Sequence, residues 1–444
     1  MTTTQERPDA GDVIPGPAGP EEVPVQLAPA GAAPGAPDGV RLRDNRDFLT
    51  VLFGQGISSF GDSITNTAMP LLVLALTGSG FAMGVVGVLT TLPDLIVGLP
   101  AGAYADRWDR RRMMFWADLG RFFLTALVPI SVAIHGPTLA VILAVTFPMN
   151  VLRVLWLAAY TAAVPGLVGR AEIPRANATF EAVFNVGWIV GPALAGLLAA
   201  TIGPGATIAI DAVTFLFSAG AMLLVRRPLR AAGRTAETHI LAEIRDGVAF
   251  VVRQPTLRAC ISLWTATSVI STGLTTATIY YVTVSRGLGS EVVGIILSGF
   301  ALGSLGGSVL AARLAFRATG IVMLVGAAVF GGCLLVIAAG VPVPVMVAVA
   351  FVAGAVNSNI LVAYITMRTL LSPDAMLGRV GATARTVSVG LTPIGALATG
   401  VLLDTVGGAE TLAIMGVALA LAGGAFALVR PVRTARIPPT PHPA

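Results

Sequence analysis

Residues 102–114 read GAYADRWDRRRMM, and Asp106 to Arg112 alone place six charges in seven positions. Only 11% of the 444 residues are charged, and the segments on either side of this cluster are almost wholly apolar. A short basic loop between two apolar runs, each about 20 residues long, is the pattern of a turn joining two membrane-crossing helices.

The whole chain agrees. It is 55% apolar with a mean hydropathy of +0.83, whereas a soluble protein is about one quarter charged. Its 28 basic residues are all Arg, which suggests GC-rich codons and a bacterial plasma membrane. Cys260 and Cys333 sit in apolar runs and His135, His239 and His442 are scattered, so neither a disulfide framework, a metal site nor a cofactor site is indicated. No nucleophile–base set is evident, and without Lys the chain cannot form a phosphate-binding G-x-x-x-x-G-K-[ST] loop, so an enzyme and ATP hydrolysis are not expected.

Measured against the length needed to cross hydrocarbon, twelve helical spans are predicted. They lie near 48–76, 81–103, 113–135, 138–164, 178–202, 206–225, 258–284, 292–312, 320–340, 344–366, 380–403 and 410–429. Loops on one side carry Arg107, Arg110, Arg111, Arg112, Arg170, Arg175, Arg226, Arg227, Arg313, Arg368 and Arg379 among others, while the opposite turns hold only Arg286. By the positive-inside rule both termini are cytoplasmic. Residues 1–45 and 431–444 read as disordered cytoplasmic tails rich in Pro, Gly and Ala, flanking six-helix halves at 46–226 and 258–430. The linker 227–257 carries Ile240, Ile244, Val248 and Val251 at helical spacing, the signature of an amphipathic surface helix.

The halves repeat. A shift of 204 lays Arg175 on Arg379, Thr179 on Thr383, Gly191 on Gly395, Gly196 on Gly400 and Gly203 on Gly407. The expected fold is therefore an all-α membrane protein with two parallel six-helix repeats, the plan of a transporter that rocks one half against the other.

The opening stretch resembles the loop between spans two and three of the major facilitator superfamily, G-x-x-x-D-R-x-G-R-[RK]. Gly102, Asp106, Arg107, Arg110 and Arg111 fall on its fixed positions, and Asp109 replaces its Gly. The resemblance implies that this loop docks against span eleven and latches the halves shut on the cytoplasmic side, with Asp106 facing the positive end of that helix. Gly187, Gly191, Pro192 and Gly196 in span five resemble the G-x-x-x-G-P-x-x-x-G pattern of exporters in the superfamily. Segments such as RANATFEAVFNVGWIVGPALAGLL look like macrolide-efflux proteins and enterobactin exporters. The resemblance implies drug/proton antiport and a half-to-half seal at span five.

Charges within spans need a partner or a task. Asp62 in span one and Arg153 in span four are the foremost pair for proton coupling, with Asp94 next; a purely structural cap is the competing reading of Asp62. Asp118 and Arg121 share a helix face at i, i+3 and are expected to pair with each other. Glu181 and Arg385 occupy equivalent repeat positions with opposite charge and are candidates for an interior gate, and Asp211 and Asp404 read as caps at external helix ends. The second half should offer a mainly apolar wall. The expected function is proton-coupled efflux of a small amphiphilic compound, an antibiotic or other secondary metabolite, by a monomer using alternating access. Siderophore export and uptake symport are the alternatives. Expected partners are the substrate, protons and the bilayer, without nucleic acid.

Overall fold

A computed structural model describes residues 42–135, 138–227, 229, 240–314, 319–373 and 376–433, all within the unit Gly35–Ala444. The N-terminal tail to residue 41, His239, His442, Arg230, Arg234, Arg317, Arg436 and most of the C-terminal tail lie outside the described residues. The first half comprises α1 (Arg46–Thr77), α2 (Gly80–Arg107), α3 (Arg110–His135), α4 (Leu139–Val168), α5 (Ile173–Ile202) and α6 (Pro204–Leu224). A linking helix, α7 (Ile240–Arg253), precedes the second half. There the elements are α8 (Pro255–Thr272), α9 (Leu274–Tyr280), a π-helical turn (Tyr281–Ser285), α10 (Ser290–Leu314), α11 (Thr319–Ala338) and α12 (Val343–Leu370). The chain continues through α13 (Leu377–Gly390), α14 (Thr392–Val406), α15 (Gly408–Ala427) and the single turn α16 (Arg430–Arg433).

Local chemistry sets these boundaries. The Asn45 side-chain oxygen accepts the Phe48 amide at 3.1 Å and opens α1, while its own amide donates to the Leu167 carbonyl at 2.8 Å and ties α1 to the end of α4. Gly78, at φ 63°, ends α1 in the left-handed conformation, and Ser79 caps α2 by accepting the Ala82 amide at 3.2 Å. Asp109 accepts the Arg112 amide at 3.2 Å and so caps α3. That contact explains why an acid stands where the superfamily loop has Gly. Two predicted spans are broken. The seventh splits into α8 and α9 at Gly273, and the eleventh splits into α13 and α14 just before Pro393, whose ring cannot follow a continuous helix without clashing with the preceding turn.

Among the described residues, ten spans are long and apolar enough to cross a membrane: α2 to α6, α10 to α12, α13–α14 taken together, and α15. The two predicted crossings that fall outside this set are α1 and α8–α9. Both carry many polar residues: α1 has Gln55, Ser58, Ser59, Asp62, Ser63, Thr65 and Asn66, and α8 has Thr265, Thr267, Ser268, Ser271 and Thr272. These polar faces turn inward. Apolar side chains such as Phe53, Trp116, Phe123, Leu224 and Leu421 stand outward and exposed, as a lipid-facing surface requires.

The buried core is divided in a way that defines the conformation. One face of the molecule holds the arginine-bearing helix ends (the start of α1, the end of α2, the start of α3); the other holds the arginine-poor turns. Toward the arginine-poor face a single apolar cluster runs through both halves, from Met83, Ala199 and Ile208 to Ala277, Val293 and Leu403. Toward the arginine-rich face there are two separate clusters. One is built from Phe48, Met114, Trp156 and Met222 of the first half, the other from Leu257, Met323, Ile360 and Val380 of the second. The halves are joined on one side and parted on the other.

Two helix crossings make the join, and the repeat relates them. Gly84 of α2 lies so close to Gly400 of α14 that a β carbon added to Gly84 would stand 3.0 Å from the Gly400 Cα. Gly196 of α5 meets Gly294 of α10 in the same way, also at 3.0 Å. Small residues allow backbones to approach this closely. Gly196 and Gly400 are the pair superposed by the sequence repeat.

Candidate functional site

A cavity of about 430 Å³ opens between the halves and is walled mainly by α1 to α5. Asp62 and Arg121 meet there in an ion pair, and Asp94 and Arg153 form a second at 2.5 Å. The expected Asp62–Arg153 pair is therefore not formed. Helix neighbours decide this: α4 packs along α2 and α3, which turns Arg153 toward Asp94, whereas α1 packs against α5 and α6. Arg153 is steadied by Nε donation to the Asn150 side-chain oxygen at 3.1 Å. The Arg121 guanidinium is 2% exposed and lies 4.0 Å above the Phe215 ring, a cation–π contact inside the helix bundle.

The expected pairing of Asp118 with Arg121 is also corrected. Asp118 Oδ2 accepts the Ser218 hydroxyl at 2.6 Å and the Trp156 indole N–H at 3.0 Å, while Arg121 is directed to Asp62. Neutral donors from α4 and α6 fill the place that the i, i+3 rule gives to Arg121 on an isolated helix. Asp211 does not cap an external end. It lies two turns inside α6, fully buried, with Oδ1 accepting the Thr214 hydroxyl at 3.1 Å. The reason is that α6 begins directly at Pro204, with only Gly203 between it and α5. Asp404 is a cap, but of a helix in the other half. Its carboxylate accepts the Ser79 hydroxyl at 2.7 Å and the Gly80 and Phe81 amides at 2.5 and 3.0 Å, the free N-terminal donors of α2.

In the basic loop, Arg111 donates to the Met222 and Leu223 carbonyls at 2.8 and 2.9 Å and so caps the end of α6. Arg110 Nε donates to the Ala105 carbonyl at 3.2 Å, Arg107 is exposed, and nothing crowds Gly102. Asp106 stands exposed, 3.8 Å from Arg110. Among the described residues, Asp106 makes no ion pair or hydrogen bond with the eleventh span, so the expected docking is not seen in this conformation. Glu181 and Arg385 are likewise exposed and form no ion pair with each other. All of these residues lie on the face where the halves are parted.

The span-five motif divides its work. Gly187 and Gly191 pack against Ser59 and Ser63 of α1 within the first half, and only Pro192 and Gly196 reach α10. Pro192 disrupts the helical ladder, and the next amide, Ala193 N–H, bonds across to the Ser298 hydroxyl oxygen at 3.0 Å. Ser290 returns a hydroxyl bond to the Gly196 carbonyl at 3.0 Å.

Sequence reasoning missed the aromatic wall. Trp156 stacks on Tyr160 with ring centroids 5.4 Å apart, and Tyr160 stacks on Phe180 at 4.2 Å. Phe180, Phe184 and Trp188 then line the cavity along one face of α5. Their i, i+4, i+8 spacing was a legible signal. The second half's lining, expected to be apolar, consists of Thr272, Thr275 and Thr276. Among the described residues no group of His, Cys, Asp and Glu could hold a metal ion.

Residues 43–438 match the family model described as Transmembrane secretion effector. A multidrug efflux pump, Tap, of Mycolicibacterium fortuitum is 31% identical over 393 residues, covering 84% of this chain and 93% of that protein. Macrolide efflux protein A of Streptococcus pyogenes is 26% identical over 208 residues, 47% of this chain and 51% of that protein. Among solved structures, a point mutant of the nucleoside transporter NupG superposes with a TM-score of 0.72 at 11% identity, covering 86% of this chain and all of that one. A bacterial homologue of the lysosomal transporter Spinster, inward-facing and unoccupied, superposes with a TM-score of 0.71 at 13% identity, covering 89% and 98%. The fold, the divided core and the family match make this chain a multi-pass membrane transporter of the major facilitator superfamily, in the transmembrane secretion effector family alongside drug-efflux proteins.

Proposed function

We propose that the protein exports small amphiphilic organic compounds, antibiotics or other secondary metabolites, in exchange for protons. The arginine-rich face is cytoplasmic by the positive-inside rule, so the conformation described is the one that loads cargo from the cell. The observation that carries this reading is the cavity itself, which is lined by two ion pairs and by Trp156, Phe180, Phe184 and Trp188. Aromatic faces suit flat apolar rings and cations. Charged pairs held in low dielectric can trade a partner for a proton or a charged ligand. Asp62 is the carboxylate placed to meet a cationic cargo, with Asp94 beside it, and Arg121 and Arg153 are their resting partners. An anionic siderophore is less well served, because among the described residues carboxyl groups outnumber guanidiniums in the interior of the first half. The relatives named as efflux pumps support the outward direction. One chain encloses the cavity, which suits a monomer.

The test uses tetraphenylphosphonium as a cationic amphiphile and the purified full chain in vesicles, with the membrane potential clamped. Molecules oriented inside-out should accumulate the probe when the lumen is acidic, and Asp62→Asn should abolish that accumulation. Accumulation only with the opposite orientation and gradient identifies an uptake symporter. Insensitivity of wild-type transport to the pH gradient removes the proton from the reading.

A further inference from the structure

Among the described residues, the interior of the first half holds four carboxyl groups, Asp62, Asp94, Asp118 and Asp211, and two guanidiniums, Arg121 and Arg153. Both cations are taken, one by Asp62 and one by Asp94. Asp118 and Asp211 are fully buried and neither forms an ion pair. An ionised carboxylate without a counter-charge is costly in a bilayer interior. Protons must balance the count while both pairs hold.

Building on the proton-exchange reading above, we propose that Asp118 is the carboxyl that carries the exchanged proton, and that Arg121 loads and unloads it by moving between Asp62 and Asp118. The geometry separates Asp118 from Asp211. Asp118 sits three residues before Arg121 on the same face of α3, one helical turn away. Its Oδ2 already accepts two donors, the Trp156 indole and the Ser218 hydroxyl, so an ionised form is partly solvated in advance. Its Oδ1 has no hydrogen-bond partner, and neither does Arg121 Nε. An Arg121 donor and an Asp118 oxygen are thus left without partners on adjacent turns of α3. The groups facing Asp118 and Arg121 are Asp62 from α1, Ser218 from α6 and Trp156 from α4 with Tyr160 stacked behind it, while Asp211 of α6 faces Arg121 and Asp62. Asp94 and Arg153 lie beyond, bound to each other.

The exchange balances. At rest Asp118 is a carboxylic acid with its proton on Oδ1, and Asp62 is ionised against Arg121. A monovalent cationic cargo entering the cavity takes over Asp62. Arg121 then turns to Asp118, whose O–H bond breaks, and the proton leaves to water in the cavity. One positive charge enters and one leaves. After release of the cargo on the other face Asp62 recovers Arg121, and Asp118 takes a proton from that side. Arg121 acts as a positioning residue, and Asp118 holds the ion that is transported.

The experiment measures tetraphenylphosphonium binding to the purified full-length protein as a function of pH. If one proton must leave for each cation bound, wild-type affinity rises about tenfold per pH unit until the acid has fully ionised. Asp118→Asn, which keeps the shape of the neutral acid, should bind the probe with an affinity that no longer follows pH, and should lose gradient-driven transport. Asp211→Asn should keep the wild-type slope. Because Asp118→Asn could also disturb packing, Ser218→Ala gives an independent reading. Losing one donor to the carboxylate disfavours the ionised form, so the pH profile should move upward by roughly half a unit to one unit. A wild-type slope in Asp118→Asn, or its loss in Asp211→Asn, overturns the assignment to Asp118 while leaving proton exchange intact. A flat profile in the wild type overturns proton exchange itself.

Discussion

Arg121 concentrates much of the energetic tension of the first half in one side chain. Its guanidinium is 2% exposed, bonded to Asp62 and laid over Phe215. Removing one member of a buried ion pair leaves the other uncompensated and costs about 3–5 kcal/mol, whereas removing both costs much less. Arg121→Ala should therefore lower the thermal unfolding temperature in detergent markedly, and Asp62→Asn/Arg121→Ala should recover part of the loss. If the double variant is as unstable as the two single losses added together, the pair is not an energetic unit. The same residue shows where sequence reading runs out. Asp62, Asp94 and Arg153 lie about 24, 20 and 22 Å from the arginine-rich ends of their helices at 1.5 Å per residue, so depth allows either acid to claim Arg153. Which helix lies beside which decides, and no spacing along the chain encodes that.

At the level of elements, the apolar runs fixed the helices closely, because length and hydropathy are local properties. The breaks at Gly273 and before Pro393 were not expected from apolar length, which reads straight through a single Gly or Pro. The cross-half contacts were only half legible: the repeat flagged Gly196 and Gly400, while the bond from Asp404 to the N-terminus of α2 joins residues more than three hundred positions apart. This contact has a counterpart in expectation. Asp106 stands exposed here, and the superfamily resemblance places it against the start of α13 when the arginine-rich face closes. Each face then has one carboxylate that can hold the N-terminus of a helix in the opposite half, and the arginine-poor one is engaged. An acid at a helix N-terminus is worth about 0.3–1 kcal/mol when exposed. Asp404→Asn should therefore increase the population open on the arginine-poor face by roughly twofold to fivefold. The measure is the labelling rate of Met83→Cys, at a position now 1% exposed in the core shared by both halves, in a chain whose Cys260 and Cys333 have been replaced. An unchanged rate leaves Asp404 as a local cap with no part in the seal.

For the whole molecule, the shared cluster on one face and the two separate clusters on the other describe a single state of a rocking pair. Close-packed interfaces have discrete arrangements, so opening the arginine-poor face requires α2 to leave α14 and α5 to leave α10. A covalent tie across either crossing should stop the cycle without preventing cargo from entering on the open side. A β carbon placed on Gly87 falls 3.0 Å from that of Ala396, about half an ångström shorter than the 3.5–4.5 Å range of a disulfide. A small separation of α2 and α14 therefore admits the bond. Gly87→Cys/Ala396→Cys, in a chain lacking Cys260 and Cys333, should crosslink readily on oxidation, retain tetraphenylphosphonium binding from the arginine-rich side and lose transport until reduced. A second pair, Asp106→Cys/Gly378→Cys, joins the basic loop to the start of α13, which are apart here. It should crosslink slowly, faster when turnover is under way, and never in a molecule already tied at positions 87 and 396. Wild-type transport by the oxidised Gly87→Cys/Ala396→Cys protein, or both crosslinks forming in one molecule, would show that the two faces do not close in alternation.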